Sequence, residues 1–168
     1  FPVMDHPDLV VGIEICEDLW SPIPPSSLLA RAGATVILNP SASNELIGKA
    51  EYRRDLVANQ SARCLCAYAY ASANPCESTT DTVYGGHMIV AEGGRILTEN
   101  ARFDTEGSVL LVDVDTQRLQ HDRRNTSSFH QRLALDAALP IWRRIPLMRP
   151  QPSDILPGEV GAAPGLMR

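Results

Sequence analysis

A nearly uninterrupted apolar run near the start of the chain limits the fold more than any other feature of the sequence. Residues 9–15 read LVVGIEI, a pattern typical of a strand that is buried on both faces. The run stops at Cys16, and the prolines in the following EDLWSPIPPSS prevent a regular helix before Pro25. We therefore predict a strand, a turn and then a helix over residues 26–31, which Gly33 ends.

Strand and helix patterns continue to alternate before the chain changes to antiparallel strands. Residues 34–39, ATVILN, predict a second strand, and the following PSASN brings hydroxyl side chains to its carboxyl end, where α/β sites are usually built. Residues 49–64 have apolar or small side chains at helical spacing and predict an amphipathic helix. The remaining predicted elements are a strand in AYAYASAN, two strands in MIVAEGGRILTENA around a Glu92-Gly93-Gly94 turn, a strand at residues 108–114, and a charged helix in DTQRLQHDRRN.

Composition and charge narrow the classes of function. A chain of 168 residues with 44% apolar and 21% charged residues fits one soluble domain or part of one. The net charge of -5 gives no electrostatic reason to expect nucleic acid or an anionic membrane as a partner, so small molecules are favoured as ligands. We find neither a bilayer-spanning apolar run nor the layout of a secretory signal, which predicts a cytoplasmic location.

The two ends of the sequence suggest a piece of a larger domain. The chain begins at Phe1 without an initiator Met and enters an apolar strand within a few residues. From about residue 139 onward prolines recur and apolar periodicity disappears. We therefore expect a partial domain over residues 1–145 and an irregular or disordered tail over residues 146–168.

Cys16 is the candidate nucleophile. A thiol at the end of a buried strand and just before a turn is held out of the sheet on a rigid support, as nucleophiles on elbows are. The backbone N–H groups of Glu17 and Asp18 would lie at that turn and could face a developing oxyanion. From these residues alone a structural core cysteine remains the alternative, because free cysteine is among the most buried residue types.

A longer stretch of sequence carries a family resemblance. Cys16-Glu17-Asp18, followed by PIPPS, SASN and ESTTD, resembles the glutamine-dependent NAD synthetases of the nitrilase superfamily over about residues 8–123. The resemblance implies an α/β fold of the nitrilase type, a four-layer α-β-β-α sandwich of which this chain supplies the C-terminal half. In that family the N-terminal domain hydrolyses glutamine, and a separate ATP-dependent domain uses the ammonia to amidate nicotinic acid adenine dinucleotide to NAD.

The resemblance also implies roles for single residues. Cys16 corresponds to the nucleophile of a Glu-Lys-Cys triad, whose Glu and Lys are expected on segments that precede Phe1. Glu17 resembles the acid that holds the α-amino group of glutamine, Ser43 resembles the residue that helps to fix its amino-acid end, and Trp20 would wall the pocket. Without the resemblance, the same residues would be a helix N-terminal carboxylate, a turn serine and a core aromatic.

Several other residues could belong to a site, but a structural role is favoured for each of them. Glu14 shares a sheet face with Cys16, but no turn brings its carboxylate back onto the sulfur. His87 could act as a base by analogy with Cys-His proteases, yet a structural role is favoured. Two groups are likewise interpreted as core or loop structure: the possible metal or redox cluster of Cys64, Cys66 and Cys76, and the loop residues Glu77, Ser78 and Thr79.

The expected activity of the parent protein is Cys-dependent hydrolysis of glutamine to glutamate and ammonia. No cofactor is expected for that step, whereas ATP and magnesium would belong to a synthetase domain absent from this chain. The expected partners are glutamine, that synthetase domain of the same parent chain, and further copies of the chain, because half a sandwich exposes apolar surface. The chain alone is expected to be inactive. The alternatives are a free-standing nitrilase-superfamily amidase and a truncated, non-catalytic pseudo-enzyme.

Overall fold

The computed structural model describes residues 1–3, 6–130 and 145–147. Six strands form one mixed sheet in which the spatial order equals the order along the chain. The strands are β1 (Pro2–Val3), β2 (His6–Ile13), β3 (Val36–Ser41), β4 (Ala67–Ser72), β5 (Met88–Glu92) and β6 (Arg95–Glu99). The helices are α1 (Pro25–Arg31), α2 (Lys49–Cys64), α3 (Thr116–Asn125) and α4 (Ser127–His130).

The sheet divides into a parallel part and an antiparallel part. Strands β2, β3 and β4 run parallel, and helices α1 and α2 connect them, as parallel neighbours require a crossover. Strands β4, β5 and β6 pair antiparallel. The turn between β5 and β6 places Gly93 and Gly94 at φ values of 55° and 94°, which glycine adopts without steric cost. The predicted hairpin and the change to antiparallel strands are confirmed.

Helix α2 covers the sheet with one face, and its bounds match the predicted residues 49–64. Its buried positions follow helical spacing: Ala50, Arg53, Val57, Gln60, Ser61 and Cys64. Helix α1 packs closely on β2 at Gly12, where an added Cβ would lie 2.9 Å from Cδ1 of Ile37 and 3.2 Å from Cβ of Leu29. Glycine at this position therefore lets helix and strand approach each other.

The core lies on the helix side of the sheet. Ile37, Tyr68 and Ile89 are completely buried there. On the other face, Leu38 and Ile13 are 37% and 43% exposed. Within the described residues the fold therefore consists of one sheet and one helical layer. The prediction that residues 9–15 are buried on both faces is wrong here, because helices cover only one face of the strand.

The predicted strand at residues 108–114 is also wrong. These residues join no ladder in the described part of the chain, and Val109 and Leu111 are 82% and 85% exposed. An apolar run becomes a strand only where another backbone offers hydrogen bonds, and no described segment does so here. Instead, Val109 and Leu110 lie beside Leu38 on the open face of the sheet.

The last part of the described chain contains the predicted charged helix, now α3. Asp115 begins it as an N-cap, and its Oδ1 accepts a hydrogen bond of 2.8 Å from the N–H of Arg118. The predicted tail over residues 146–168 lies outside the described residues except for positions 146 and 147. Among the helices that the structure describes, none has the length and apolar character needed to cross a membrane.

Candidate active site

Cys16 lies on a strained turn at the carboxyl edge of the parallel strands. It opens a 3₁₀ turn, Cys16–Trp20, three residues after the end of β2. Its φ of 51° lies in the left-handed region, which costs a residue with a side chain about 1 to 3 kcal/mol and persists only where the surroundings fix it. Strained strand-to-helix turns of this kind present nucleophiles in other hydrolases.

Two reciprocal hydrogen bonds close the turn around the cysteine. The N–H of Asp18 donates to the carbonyl oxygen of Ile15 at 3.0 Å, and the N–H of Ile15 donates to Oδ2 of Asp18 at 2.7 Å. The Asp18 N–H is therefore used by the turn, so the prediction that it could face an oxyanion is wrong. The N–H of Glu17 precedes the first hydrogen bond of the turn, and such first-turn donors have no partner within their helix.

The turn at Cys16 forms the first wall of the site. The end of β3 and the loop that follows it form the second wall. Asn39 is 1% exposed, and its side-chain amide contacts the backbone of Cys16. Ser43 is 5% exposed, and its hydroxyl has no hydrogen-bond partner in the described part of the chain. A buried hydroxyl without a partner is uncommon in native structures, so Ser43 has capacity to bind a ligand.

The third wall comes from the first turns of α2. Nζ of Lys49 donates to Oδ1 of Asn44 at 2.6 Å and lies 5.8 Å from the ring centroid of Trp20. Trp20 also stacks on Tyr52, with ring centroids 5.8 Å apart and an angle of 15° between the planes. Trp20 therefore contacts an aromatic ring and a cation, both from α2.

The charge of Lys49 interacts with charged groups of the Cys16 turn, of the loop after β3 and of α2. Burial and the neighbouring Arg53 guanidinium lower the pKa of the Lys49 ammonium, while the charges of Glu45, Cys16 and Glu17 raise it. The Lys49 ammonium therefore interacts electrostatically with both the thiol of Cys16 and the carboxylate of Glu17. The site therefore combines a thiol, a cation and an exposed carboxylate at one edge of the sheet.

The predicted site residues thus occupy one edge, and two further residues join them. Cys16, Glu17 and Trp20 share the 3₁₀ turn, and Ser43 lies in the loop between β3 and α2. Sequence analysis missed Lys49 and Asn39. Lys49 is the single lysine of the sequence and begins α2, which could have drawn attention to it. Asn39 follows the apolar VIL of β3, and a polar residue at such a position is a similar signal.

The Glu14 carboxylate is hydrogen-bonded to α1 and β4. Its side chain is buried, Oε2 accepts a hydrogen bond of 2.6 Å from the N–H of Ser26, and Oε1 accepts one from the hydroxyl of Tyr68. Burial and the Glu14 carboxylate raise the pKa of Tyr68, so this hydroxyl stays protonated. Glu14 therefore serves packing between β2, α1 and β4.

His87 uses both ring nitrogens in contacts away from Cys16. Nη1 of Arg53 lies 2.9 Å from Nδ1, and because a guanidinium only donates, Nδ1 is the acceptor. Nε2 then carries the proton and donates to Oε1 of Glu99 at 2.7 Å. Burial and Arg53 lower the pKa of His87 and favour this neutral form. The structural interpretation of His87 is confirmed.

The remaining cysteines and the loop after β4 show structural contacts. All four cysteines are free, with Cys64 and Cys66 buried and Cys76 exposed. Across the described residues, no group of three His, Cys, Asp or Glu side chains is arranged to hold a metal ion. The Glu77 side chain accepts from the N–H of Asn74 at 3.0 Å, and the other loop hydroxyls cap backbone N–H groups in the same way. The interpretation of Glu77, Ser78 and Thr79 as loop structure is confirmed.

The fold and this site define a class of protein. Residues 1–124 match the carbon-nitrogen hydrolase family, and the chain belongs to that family. Over 129 residues it is 45% identical to the glutamine-dependent NAD(+) synthetase of Mycobacterium tuberculosis H37Rv, a match that covers 77% of this chain and 19% of that protein. The chain therefore spans about a fifth of the length of such relatives. The resemblance drawn from the sequence is confirmed.

Solved structures confirm the nitrilase-type fold. A carbon-nitrogen hydrolase from Helicobacter pylori G27 superposes with a TM-score of 0.60 at 16% identity, covering 79% of this chain and 50% of that one. The glutamine-dependent NAD+ synthetase of Acinetobacter baumannii gives 0.52 at 22% identity, covering 56% of this chain and 18% of that one. At these identities the likeness shows the fold alone.

Proposed function

We propose that this chain carries the nucleophile and part of the substrate pocket of a glutaminase, and that its parent protein is a glutamine-dependent NAD synthetase. The observation that carries the proposal is Cys16 on its strained turn, next to Glu17 in the same turn and in electrostatic interaction with the cation of Lys49. The name of the Mycobacterium tuberculosis relative supports glutamine as the substrate. Nothing in this proposal requires the described residues to bind ATP.

The charges of the site complement the amino-acid end of glutamine. A free amino acid carries a carboxylate and an ammonium group on one carbon, and it needs a cation and an anion close together to bind. Lys49 offers the cation for the α-carboxylate, and exposed Glu17 offers the anion for the α-amino group. The unpartnered hydroxyl of Ser43 can add a hydrogen bond, and Trp20 can cover the aliphatic part.

In the proposed reaction the Cys16 sulfur attacks the δ-carbonyl carbon of glutamine after losing its proton to a general base. The Glu17 N–H stabilises the oxyanion that forms. The C–N bond then breaks, the base returns its proton to the leaving nitrogen, and ammonia departs. Water hydrolyses the resulting thioester and regenerates the thiol with glutamate. The family resemblance implies that the base is a Glu and that a Lys helps to stabilise the oxyanion, and neither is expected among the residues of this chain.

This step needs no metal or organic cofactor, because the nucleophile, base and oxyanion donor are protein groups. ATP and magnesium belong to the acceptor reaction in the proposed synthetase domain of the parent protein. Its product would be NAD, formed by amidation of nicotinic acid adenine dinucleotide with the released ammonia.

Covalent capture by a glutamine analogue tests the proposal in the full-length protein that contains this sequence. The probe is glutamine with its carboxamide replaced by a diazoketone, which alkylates a thiol with loss of nitrogen gas. Peptide mass spectrometry should find the adduct on Cys16 and not on Cys76, although Cys76 is the more exposed thiol. Glutamine should protect Cys16. Equal labelling of both cysteines, or no labelling of Cys16, would refute a glutamine-directed nucleophile.

A further inference from the structure

The strained backbone of Cys16 is held by the side chain of one neighbouring strand residue. The N–H of Cys16 donates to Oδ1 of Asn39 at 3.1 Å, and Nδ2 of Asn39 donates to the carbonyl oxygen of Cys16 at 3.4 Å. One amide group therefore contacts both polar backbone groups of the residue with the left-handed φ. A side-chain amide has an acceptor oxygen and a donor nitrogen on one carbon, so it can make both contacts at once.

The orientation of the Asn39 amide is determined by its other contacts. The buried Tyr68 hydroxyl must donate to the Glu14 carboxylate, so the lone pairs of the hydroxyl are available to accept. Nδ2 of Asn39 donates to that hydroxyl at 2.9 Å. On the opposite side the hydroxyl of Ser41 donates to Oδ1 at 2.8 Å. A flipped amide would place two acceptors against each other at the Tyr68 hydroxyl, and it would mismatch both backbone groups of Cys16.

We propose that Asn39 is a positioning residue for the reaction, which holds the Cys16 backbone in its strained conformation and thereby fixes the direction of the thiol and of the Glu17 N–H. The inference rests on the proposed role of Cys16 as nucleophile. Asn39 does not touch the substrate or the reacting atoms. Its contribution lies in the contacts that link β3, through the amide, to the turn after β2.

A positioning role predicts a loss in turnover without an equal loss in binding. Substitution Asn39→Ala in the full-length protein should lower kcat for ammonia release about 30- to 100-fold, the scale expected when a reacting group shifts by about 1 Å. KM for glutamine should change less than about threefold, because Lys49, Glu17 and Ser43 are untouched. The rate of alkylation by the diazoketone analogue should fall with kcat, since that probe also needs a directed sulfur.

Undirected alkylation separates positioning from simple loss of structure. Iodoacetamide lacks the α-amino and α-carboxylate groups that the pocket is proposed to bind, so its rate at Cys16 should change less than about threefold in Asn39→Ala. Buried Cys64 and Cys66, which are 3% and 0% exposed, should stay unreactive if the fold is intact. Thermal unfolding gives a second measure of the fold. Should Asn39→Ala fail to fold, Asn39→Thr fits a strand, keeps one of the two contacts and should show a smaller fall in kcat.

Asn100 offers a matched control. Its amide makes the same pair of backbone contacts elsewhere, accepting from the N–H of Met88 at 2.7 Å and donating to the carbonyl of Gly86 at 2.8 Å. Asn100→Ala should lower stability while leaving kcat within about twofold.

A folded Asn39 variant with wild-type kcat, or a loss of kcat no larger than that of Asn100→Ala, would overturn the inference while leaving the proposed function in place. A wild-type protein that releases no ammonia from glutamine would overturn both.

Discussion

The ammonium group of Lys49 interacts with several residues of the site. Its Nζ contacts Asn44 and faces the Trp20 ring, while Cys16 and Glu17 lie within electrostatic range. Partial burial and the Arg53 guanidinium lower the pKa of Lys49, and in the proposed function the substrate carboxylate offsets both effects. At the residue scale, the proposed substrate site therefore combines a cation with a thiol.

The first prediction concerns binding through this cation. In the full-length protein, Lys49→Met should raise KM for glutamine about 10- to 100-fold, because a charge-assisted hydrogen bond contributes about 1.5 to 3 kcal/mol. The kcat should change much less. Steady-state ammonia release at saturating and limiting glutamine measures both constants.

Lys49→Arg is the control for charge, and it should recover most of the affinity that Lys49→Met loses. If Lys49→Met leaves KM unchanged, Lys49 does not bind the substrate carboxylate.

At the element scale, α3 joins the carboxyl ends of α1 and α2. The guanidinium of Arg123 is 4% exposed and donates to carbonyl oxygens of Ala34 at 2.6 Å, Cys64 at 2.9 Å and Leu65 at 3.0 Å. It also lies 4.9 Å from the Phe129 ring centroid. These carbonyls come at or after helix ends, where backbone acceptors otherwise lack partners. One side chain therefore stabilises the packing of three helices.

The second prediction follows from those contacts. Arg123→Met should lower the local stability of this region by about 2 to 4 kcal/mol, since it leaves several buried carbonyls without donors. Amide hydrogen exchange in α3 and in the last turn of α2 measures the change. The exposed neighbour Arg124 provides a matched control, and Arg124→Met should change exchange little. Equal protection in both variants would contradict the role of Arg123.

The elements also show which parts of the fold the sequence could predict. The sequence predicts both ends of helix α2 correctly, because helical periodicity is a local property. It also predicts the β5–β6 hairpin, because the Gly-Gly turn is a local signal. The strand predicted at residues 108–114 is wrong because strand formation depends on a partner strand, which the local pattern does not show. Sequence analysis missed Asn39 and Lys49 for the same reason. Asn39 contacts Cys16, which lies 23 positions earlier in the chain. Lys49 interacts with Cys16 and Glu17 only in the folded chain.

On the scale of the whole molecule, an ionic network that is buried at Arg53, Glu45 and His87 joins α2 to the antiparallel strands and the loops. Arg53 contacts His87 and Glu45 at 2.9 Å, and Arg102 contacts Glu45 at the same distance. Glu99 accepts from His87 and from Arg54, each at 2.7 Å. The network works with a neutral His87, because a second proton on the ring would face the Arg53 guanidinium.

The third prediction is a loss of stability at mildly acidic pH. The pKa of His87 in the folded protein lies below its unfolded value near about 6.5, so between the two values the unfolded chain binds a proton that the folded chain does not. Stability should therefore fall as pH decreases through that window, by at most about 1.4 kcal/mol per pH unit for this group.

Denaturant unfolding at pH values between about 7.5 and 5.5 measures this dependence. His87→Gln keeps one acceptor and one donor but cannot take up a proton in this range, so its stability should depend less on pH. An equally steep dependence in wild type and variant would show that His87 is not the group responsible.

Ammonia release from glutamine is the measurement that tests the central claim most directly. It compares the full-length protein that contains this sequence with its Cys16→Ala variant, both checked for folding by thermal unfolding. The account predicts that wild type releases ammonia and that Cys16→Ala loses at least about a thousandfold in kcat, as removal of a nucleophile does. Substantial ammonia release by folded Cys16→Ala, or none by the wild-type protein, would contradict the assignment of Cys16 as the nucleophile of a glutaminase.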